Sequence, residues 1–173
     1  MTVSAPLSFE SLSDVKLAPR IDHIMRAEGV DPRWMVLSVD EAALGDNLAK
    51  VLENLARLRL QGFGLAIDDF GSGPMAVDRL SMAAFTELKI EGAFVVGADC
   101  DETVRAGLAV ALEAAQHLKV RSVATGIASK HEWDLLYRWG CEFGQGPFIS
   151  PPMAGPAVPR WLQRRQPYRM QHI

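Results

Sequence analysis

The fold is decided by the stretch Leu65-Ala-Ile-Asp-Asp-Phe-Gly-Ser-Gly73. An apolar run over residues 64–67 stops at two adjacent carboxylates, Asp68 and Asp69, and glycines follow, which is typical of a buried strand that ends in a polar loop. Adjacent carboxylates at a strand end suit a divalent cation, and the glycines allow a tight turn. The alternative is that these residues cap the helix after the loop.

On both sides of this stretch, helical and strand-like segments alternate. The apolar spacing predicts helices over residues 12–28, 43–60, 103–118 and 130–139, and a short helix over part of residues 75–83. It predicts strands over residues 35–39, 64–67, 87–90, 120–124 and 143–149. Five apolar strands separated by helices predict an α/β protein with a parallel sheet. The spacing alone fits a doubly wound sheet and a barrel equally well.

Polar residues follow the ends of these strands. Ser38 and Glu41, Asp68 and Asp69, Lys89 and Glu91, and Thr125 all stand at or just after an apolar run. Because ligands of parallel α/β folds bind at the carboxyl ends of the strands, the functional site is expected there.

Composition excludes several classes of protein. The 173 residues are 49% hydrophobic and 23% charged, with a formal net charge of −3, which favours a globular domain and gives no general attraction to nucleic acid or to an anionic membrane. No apolar run is long enough to span a membrane, and the first residues lack a signal-peptide pattern. Cys100 and Cys141 are too few for a disulfide framework, so we expect two thiols in the reducing cytoplasm.

Four motifs together resemble the EAL domain family in order and spacing. They are the opening stretch and then Glu87-Leu-Lys-Ile-Glu91, Val123-Ala-Thr-Gly-Ile127 and Gly140-Cys-Glu-Phe-Gly-Gln-Gly146. The resemblance extends from about residue 4 to about residue 153. It implies a TIM-type (β/α) barrel of the EAL type, which lacks its first strands here because the chain begins near the family's third strand.

The resemblance also implies how the chain is divided. Residues 1–153 are expected to form the partial barrel, and residues 154–173 a proline-containing basic tail exposed to solvent. Pro151, Pro152, Pro156 and Pro159 argue against regular helix or sheet between residues 150 and 159. The tail carries Arg160, Arg164, Arg165 and Arg169.

In active members, as the resemblance implies, carboxylates and an asparagine hold two divalent cations that activate a water against a phosphodiester. Five of the family's positions are substituted here: Pro6 stands for the asparagine, Ser38 and Thr125 for glutamates, Ala128 for a loop glutamate and Glu91 for an aspartate. Asp68 and Asp69 remain as a remnant of the metal site, and Lys89 and Glu41 as remnants of the catalytic set. No cofactor is expected, and magnesium or manganese would bind only if activity remained.

The leading hypothesis is therefore a catalytically degenerate EAL-like module in cyclic di-GMP signalling that contacts a signalling protein. One alternative is a receptor that binds cyclic di-GMP through Asp69, Lys89 and Gln145 without cleaving it. The other is an active metal-dependent phosphodiesterase. With no metal between the adjacent aspartates, Lys89 is expected to pair with Asp68 or Asp69. A homo-oligomer is expected through open sheet edges or through the helices at residues 75–83 and 103–118, which are the dimer surface that the resemblance implies.

Overall fold

The computed structural model describes residues 2–44, 48–71 and 77–164. Its centre is a curled parallel sheet in which every strand pairs with the next one along the chain. The six strands are β1 (Val3–Pro6), β2 (Met35–Asp40), β3 (Gly64–Phe70), β4 (Glu87–Ile90), β5 (Arg121–Ala124) and β6 (Phe143–Gly144). This order and curl are those of a partial (β/α) barrel and not of a doubly wound sheet, whose strand order would reverse.

Helices cover the convex face of the sheet. The larger ones are α2 (Leu17–Ala27), α4 (Leu48–Leu60), α6 (Glu102–Leu118) and α7 (Lys130–Arg138), and the short ones are α1 (Phe9–Ser13), α3 (Glu41–Leu44), α5 (Val77–Leu80) and α8 (Val158–Arg164). Alternate strand residues such as Leu65, Ile67 and Leu88 are fully buried beneath these helices and form the hydrophobic core. Burial of this apolar surface is the main stabilisation of the half-barrel.

The other alternate residues face the concave side. Val36, Glu87, Lys89, Arg121 and Val123 are among the residues that line a cavity of about 340 Å³ there. In a closed barrel this volume would be filled by side chains from all strands. Among the described strands, β1 and β6 form the two edges and do not pair with each other.

Several predicted boundaries differ from the structure. The single helix predicted over residues 12–28 is two helices, because Asp14 ends α1 in an extended conformation. The apolar spacing did not predict β1, since four residues ending in proline give no periodic signal, but the family resemblance had placed a strand near the start of the chain. The strand predicted over residues 143–149 is regular only at Phe143–Gly144. The short helix predicted within residues 75–83 is α5, Val77–Leu80, and residues 75 and 76 lie outside the described residues.

The proline-containing segment is also more ordered than predicted. A 3-10 turn at Gly155–Ala157 leads into α8, and Pro159 is the second residue of that helix. Proline is tolerated in the first helical turn because a backbone N–H at that position would have no hydrogen-bond acceptor within the helix. Arg165 and Arg169, which were predicted in the tail, lie outside the described residues.

Candidate functional site

The two adjacent carboxylates lie on a bulge in the sheet. Ile67 of β3 pairs with Leu88 of β4, but Phe70 pairs with Ile90, so two residues of β3 face one residue of β4. Asp69 has a positive φ of 52°, a backbone conformation that aspartate adopts more readily than most residues. Bulges often re-aim side chains beside active sites, and this one places both carboxylates at the carboxyl end of the sheet.

Lys89 makes the contact that the sequence predicted. Its Nζ lies 3.0 Å from Oδ2 of Asp68, and only 9% of the lysine side chain is exposed. An ammonium at this depth requires a negative partner, because an unpaired charge away from water is costly. The Asp68 carboxylate is therefore paired with the ammonium of Lys89 in this structure.

Negative charge is concentrated around the second carboxylate. Partial burial, and then the charges of Asp68 and Asp40, raise the pKa of Asp69 above its ordinary value, while Lys89 opposes the rise. The side chain of Asp69 is exposed at the carboxyl end of the sheet, which is the mouth of the half-barrel. A cationic group approaching from solvent would therefore meet Asp69, which is exposed, before the half-buried Asp68 and the buried Lys89.

Glu41 orders the loop after β3. Its side chain is buried, and Oε2 accepts a hydrogen bond from the N–H of Gly71 at 2.7 Å. Gly71 has φ of 101°, and a Cβ atom there would lie 2.6 Å from the ring of Phe94, so no other residue fits this turn. The retained glutamate thus has a structural contact whether or not any chemistry occurs.

Two substituted positions, Ser38 and Thr125, carry hydroxyl groups where the family resemblance implies carboxylates. Ser38 is 1% exposed, and within the described part of the chain its hydroxyl has no hydrogen-bond partner. Thr125 donates its hydroxyl proton to the carbonyl of Ile90 at 3.0 Å. A hydroxyl turned back onto the backbone offers little to a ligand in the mouth.

The remaining substituted positions are occupied by local structure. Pro6 ends the edge strand β1 opposite Ser38. Glu91 precedes the 3-10 turn Gly92–Phe94, and its carbonyl accepts the N–H of Phe94 at 3.0 Å. The N–H of Ala128 donates to Oε2 of Glu132 at 2.6 Å, beside the capping box that starts α7.

Gln145 lies near Lys89 on the concave side. Its backbone is fixed by two hydrogen bonds, from its N–H to the carbonyl of Ala124 at 2.8 Å and from the N–H of Ile127 to its carbonyl at 3.1 Å. Gln145 and Lys89 both line the cavity of the concave face. The structure therefore brings two of the three predicted nucleotide-binding residues to one cavity, and Asp69 lies at the mouth.

Sequence reasoning missed a second charged pair in the same cavity. Nη2 of Arg121 lies 2.6 Å from Oε1 of Glu87, and the guanidinium lies 5.7 Å from the ring centre of Phe143. Glu87 and Arg121 are directly opposite each other on β4 and β5. The opposite charges of these two residues could have predicted the ion pair from the sequence. That prediction would have required knowing that the two strands are neighbours and in which register they pair.

In residues 2–44, 48–71 and 77–164, no three His, Cys, Asp or Glu side chains are grouped so that they could hold a metal ion. In the same ranges, no helix is long and apolar enough to cross a membrane.

The comparison with known families gives one assignment for almost the whole chain. Residues 1–152 match the family model described as EAL domain. The match includes all six strands and the four motifs around which the site is built.

Named relatives and solved structures agree with this match. The chain is 32% identical over 137 residues to the cyclic di-GMP phosphodiesterase RocR of Pseudomonas aeruginosa. This alignment covers 79% of this chain and 35% of RocR. It is 27% identical over 168 residues to the oxygen sensor protein DosP of Escherichia coli, and this second alignment covers 97% of this chain and 21% of DosP. The chain thus spans about a fifth to a third of these relatives.

The fold is shared with the EAL domain of Mycobacterium smegmatis DcpA. The TM-score is 0.88 at 23% identity, and the alignment covers 96% of this chain and 75% of the DcpA chain. At this identity the likeness establishes the fold alone.

Proposed function

This chain belongs to the EAL domain family, and from that premise we propose that it is a catalytically degenerate module of cyclic di-GMP signalling that acts mainly through contact with a signalling protein in the cytoplasm. The observation that carries the proposal is that three family positions, Pro6, Ser38 and Thr125, carry no carboxylate, and that the Thr125 hydroxyl is bonded to the backbone carbonyl of Ile90.

The chemistry of the donor set supports the loss of catalysis. Magnesium and manganese bind several oxygen ligands, mostly anionic, and two-metal hydrolysis needs both ions held together. The family positions Pro6, Ser38 and Thr125 carry no carboxylate, and the Thr125 hydroxyl is bonded to the backbone. Asp69 alone cannot replace a set of several oxygen ligands, so no hydrolytic step is assigned to these residues.

A second candidate is a receptor that binds cyclic di-GMP without cleaving it. The cavity on the concave face brings together Lys89, Gln145, Arg121 and Phe143, which offer cations, an amide and an aromatic ring. Cationic groups and aromatic faces are common contacts for phosphates and bases. This candidate requires no metal, in contrast to the third one, an active phosphodiesterase.

A calorimetric titration distinguishes the first two candidates. The purified chain, titrated with cyclic di-GMP in magnesium and again in a chelator, is expected to give no saturable heat at micromolar protein. Saturable binding in the chelator would favour the receptor instead. That binding should be lost in Lys89→Met and Gln145→Ala, and it should persist in Lys130→Met, a control on α7 whose lysine is exposed and paired with Asp134.

We also propose that the chain self-associates. β1 and β6 are the edges of the described sheet, and open edges carry backbone donors and acceptors that pair readily with another chain. The amino-terminal segment, residues 2–13, packs against neighbouring elements of the same chain. Within it, β1 pairs with β2, and the carbonyl of Leu12 in α1 accepts the side-chain amide of Asn54 in α4 at 2.6 Å.

The expected result is a mass of at least two chains in size exclusion with light scattering at micromolar concentration. Replacing Val110, which is 58% exposed on α6, by Arg should lower that mass if the helical surface holds the assembly, and should leave it unchanged if a sheet edge does. A single species of about 19.0 kDa that unfolds cooperatively would refute self-association.

A further inference from the structure

The ion pair between Glu87 and Arg121 lies at the opposite end of the sheet from the adjacent aspartates. Glu87, Arg121 and Phe143 are the first residues of β4, β5 and β6, whereas Asp68 and Asp69 stand near the carboxyl end of β3. These strands are parallel to one another, so their first residues lie together at the amino end of the sheet. This end of the concave cavity is therefore distinct from the carboxylates at the mouth.

Each member of the pair has polar atoms that are not used within the chain. Nη2 of Arg121 lies 2.6 Å from Oε1 of Glu87, and the arginine side chain is 44% exposed. Among the described residues, none accepts a hydrogen bond from Nε or Nη1 of Arg121, and none donates one to Oε2 of Glu87. Both side chains line the cavity, so the guanidinium can bind a further anionic group and the carboxylate a further cationic one.

The cavity beside the pair offers apolar surface as well. Val123 and Phe143, which are paired on β5 and β6, line it together with Val36 of β2 and the hydroxyl-bearing Thr2 and Ser4. Phe143 is 45% exposed, and its ring centre lies 5.7 Å from the guanidinium. The volume of about 340 Å³ is near the lower end of the range for small-molecule sites, about 300–1,000 Å³. It suits a ligand of the size of one amino acid.

We propose that the amino end of this cavity binds a free α-amino acid with an aromatic side chain. The α-carboxylate accepts hydrogen bonds from the unused N–H groups of Arg121, and the α-ammonium donates to Oε2 of Glu87. The aromatic ring packs against Phe143 and Val123, where an aromatic pair adds to the free energy gained by apolar burial. An α-amino acid carries both charges on one carbon, which matches a guanidinium and a carboxylate that lie side by side.

The balance of charge selects this class of ligand. Glu87 and Arg121 together are neutral, and Lys89, the other cation that lines the cavity, is paired with Asp68. A phosphate would be attracted by Arg121 but repelled by the Glu87 carboxylate beside it, and a simple amine would meet the opposite conflict. A zwitterion pairs with both groups. The inference does not rest on whether the chain binds cyclic di-GMP, which the nucleotide titration measures separately.

Calorimetry of the unaltered chain with three related ligands tests the proposal. L-Phenylalanine is expected to give saturable heat with a Kd of about 1 mM or lower. Phenylacetate lacks the ammonium and phenethylamine lacks the carboxylate, so each should bind at least about tenfold more weakly, because each leaves one charged group of the pair without a ligand partner. No saturable heat with L-phenylalanine, or equal affinity for either analogue, would overturn the proposal.

Two variants and a matched control locate the site. Arg121→Gln should weaken the binding of L-phenylalanine by about tenfold or more, and Phe143→Leu by about two- to tenfold. The control is Arg57→Gln on α4, since Arg57 also lies 2.6 Å from a glutamate, Glu53, and its side chain is 47% exposed. It should change the affinity by less than about twofold.

Thermal unfolding of each variant shows whether the fold is kept. Unchanged affinity in a folded Arg121→Gln, or an equal loss in Arg57→Gln, would place the ligand elsewhere and refute the site. If Arg121→Gln does not fold, the comparison of the three ligands on the unaltered chain decides.

Discussion

Cyclic di-GMP incubated with the purified chain and magnesium or manganese is expected to remain uncleaved. The family positions Pro6, Ser38 and Thr125 carry no carboxylate, and Asp68 is paired with Lys89. Loss of one well-placed group that stabilises a transition state already costs about 10²–10³-fold in rate, and two-metal hydrolysis depends on several such groups at once. Chromatography of the nucleotide after long incubation should show no linear dinucleotide above the level of a buffer blank.

Restoring two carboxylates should not recover the reaction. In a variant with Ser38→Glu and Thr125→Glu, Pro6 still offers no side-chain ligand, and Lys89 still pairs with Asp68. The informative control is Asp68→Ala in the otherwise unaltered chain. Linear product that forms with the unaltered chain and decreases in Asp68→Ala would show that the aspartate still serves a working site, and the proposed degeneracy would be wrong.

Removal of Asp68 is expected to cost about 1–3 kcal/mol of the free energy of unfolding. Asp68→Ala leaves the Lys89 ammonium, which is 9% exposed, without its carboxylate partner. Lys89→Met should cost less, because an apolar side chain of similar length is easier to bury than an unpaired charge. The double variant should therefore be more stable than Asp68→Ala alone. Urea unfolding of the four proteins gives the coupling energy directly.

An exposed pair supplies the control for this cycle. Lys130 and Asp134 on α7 lie 2.6 Å apart, but their side chains are 75% and 50% exposed. Their coupling energy should lie below about 0.5 kcal/mol. If the coupling between Lys89 and Asp68 is no larger than that of this exposed pair, the two groups do not form a pair in solution.

The sequence determined more of the architecture than of the site. Apolar runs such as Gly64–Ile67 and Glu87–Ile90, separated by amphipathic helices, predicted the parallel sheet and the position of polar residues at its carboxyl edge. They did so because both features depend on local periodicity. The motifs around Asp68, Lys89 and Gln145 then predicted the family, which the match over residues 1–152 confirmed. Short elements without periodicity, such as β1, gave no signal in the spacing for the same reason, and only the family resemblance placed a strand there.

The directions of individual side chains were decided only by the tertiary structure. The bulge at Asp68 and Asp69 depends on the register with β4, and this register selects Asp68 as the partner of Lys89, 21 residues away in sequence. The pairing of Glu87 with Arg121 joins residues 34 positions apart on neighbouring strands. Sequence alone placed these charges on strands. Which charges meet depends on strand pairing and sheet curvature, which are properties of distant segments packed together.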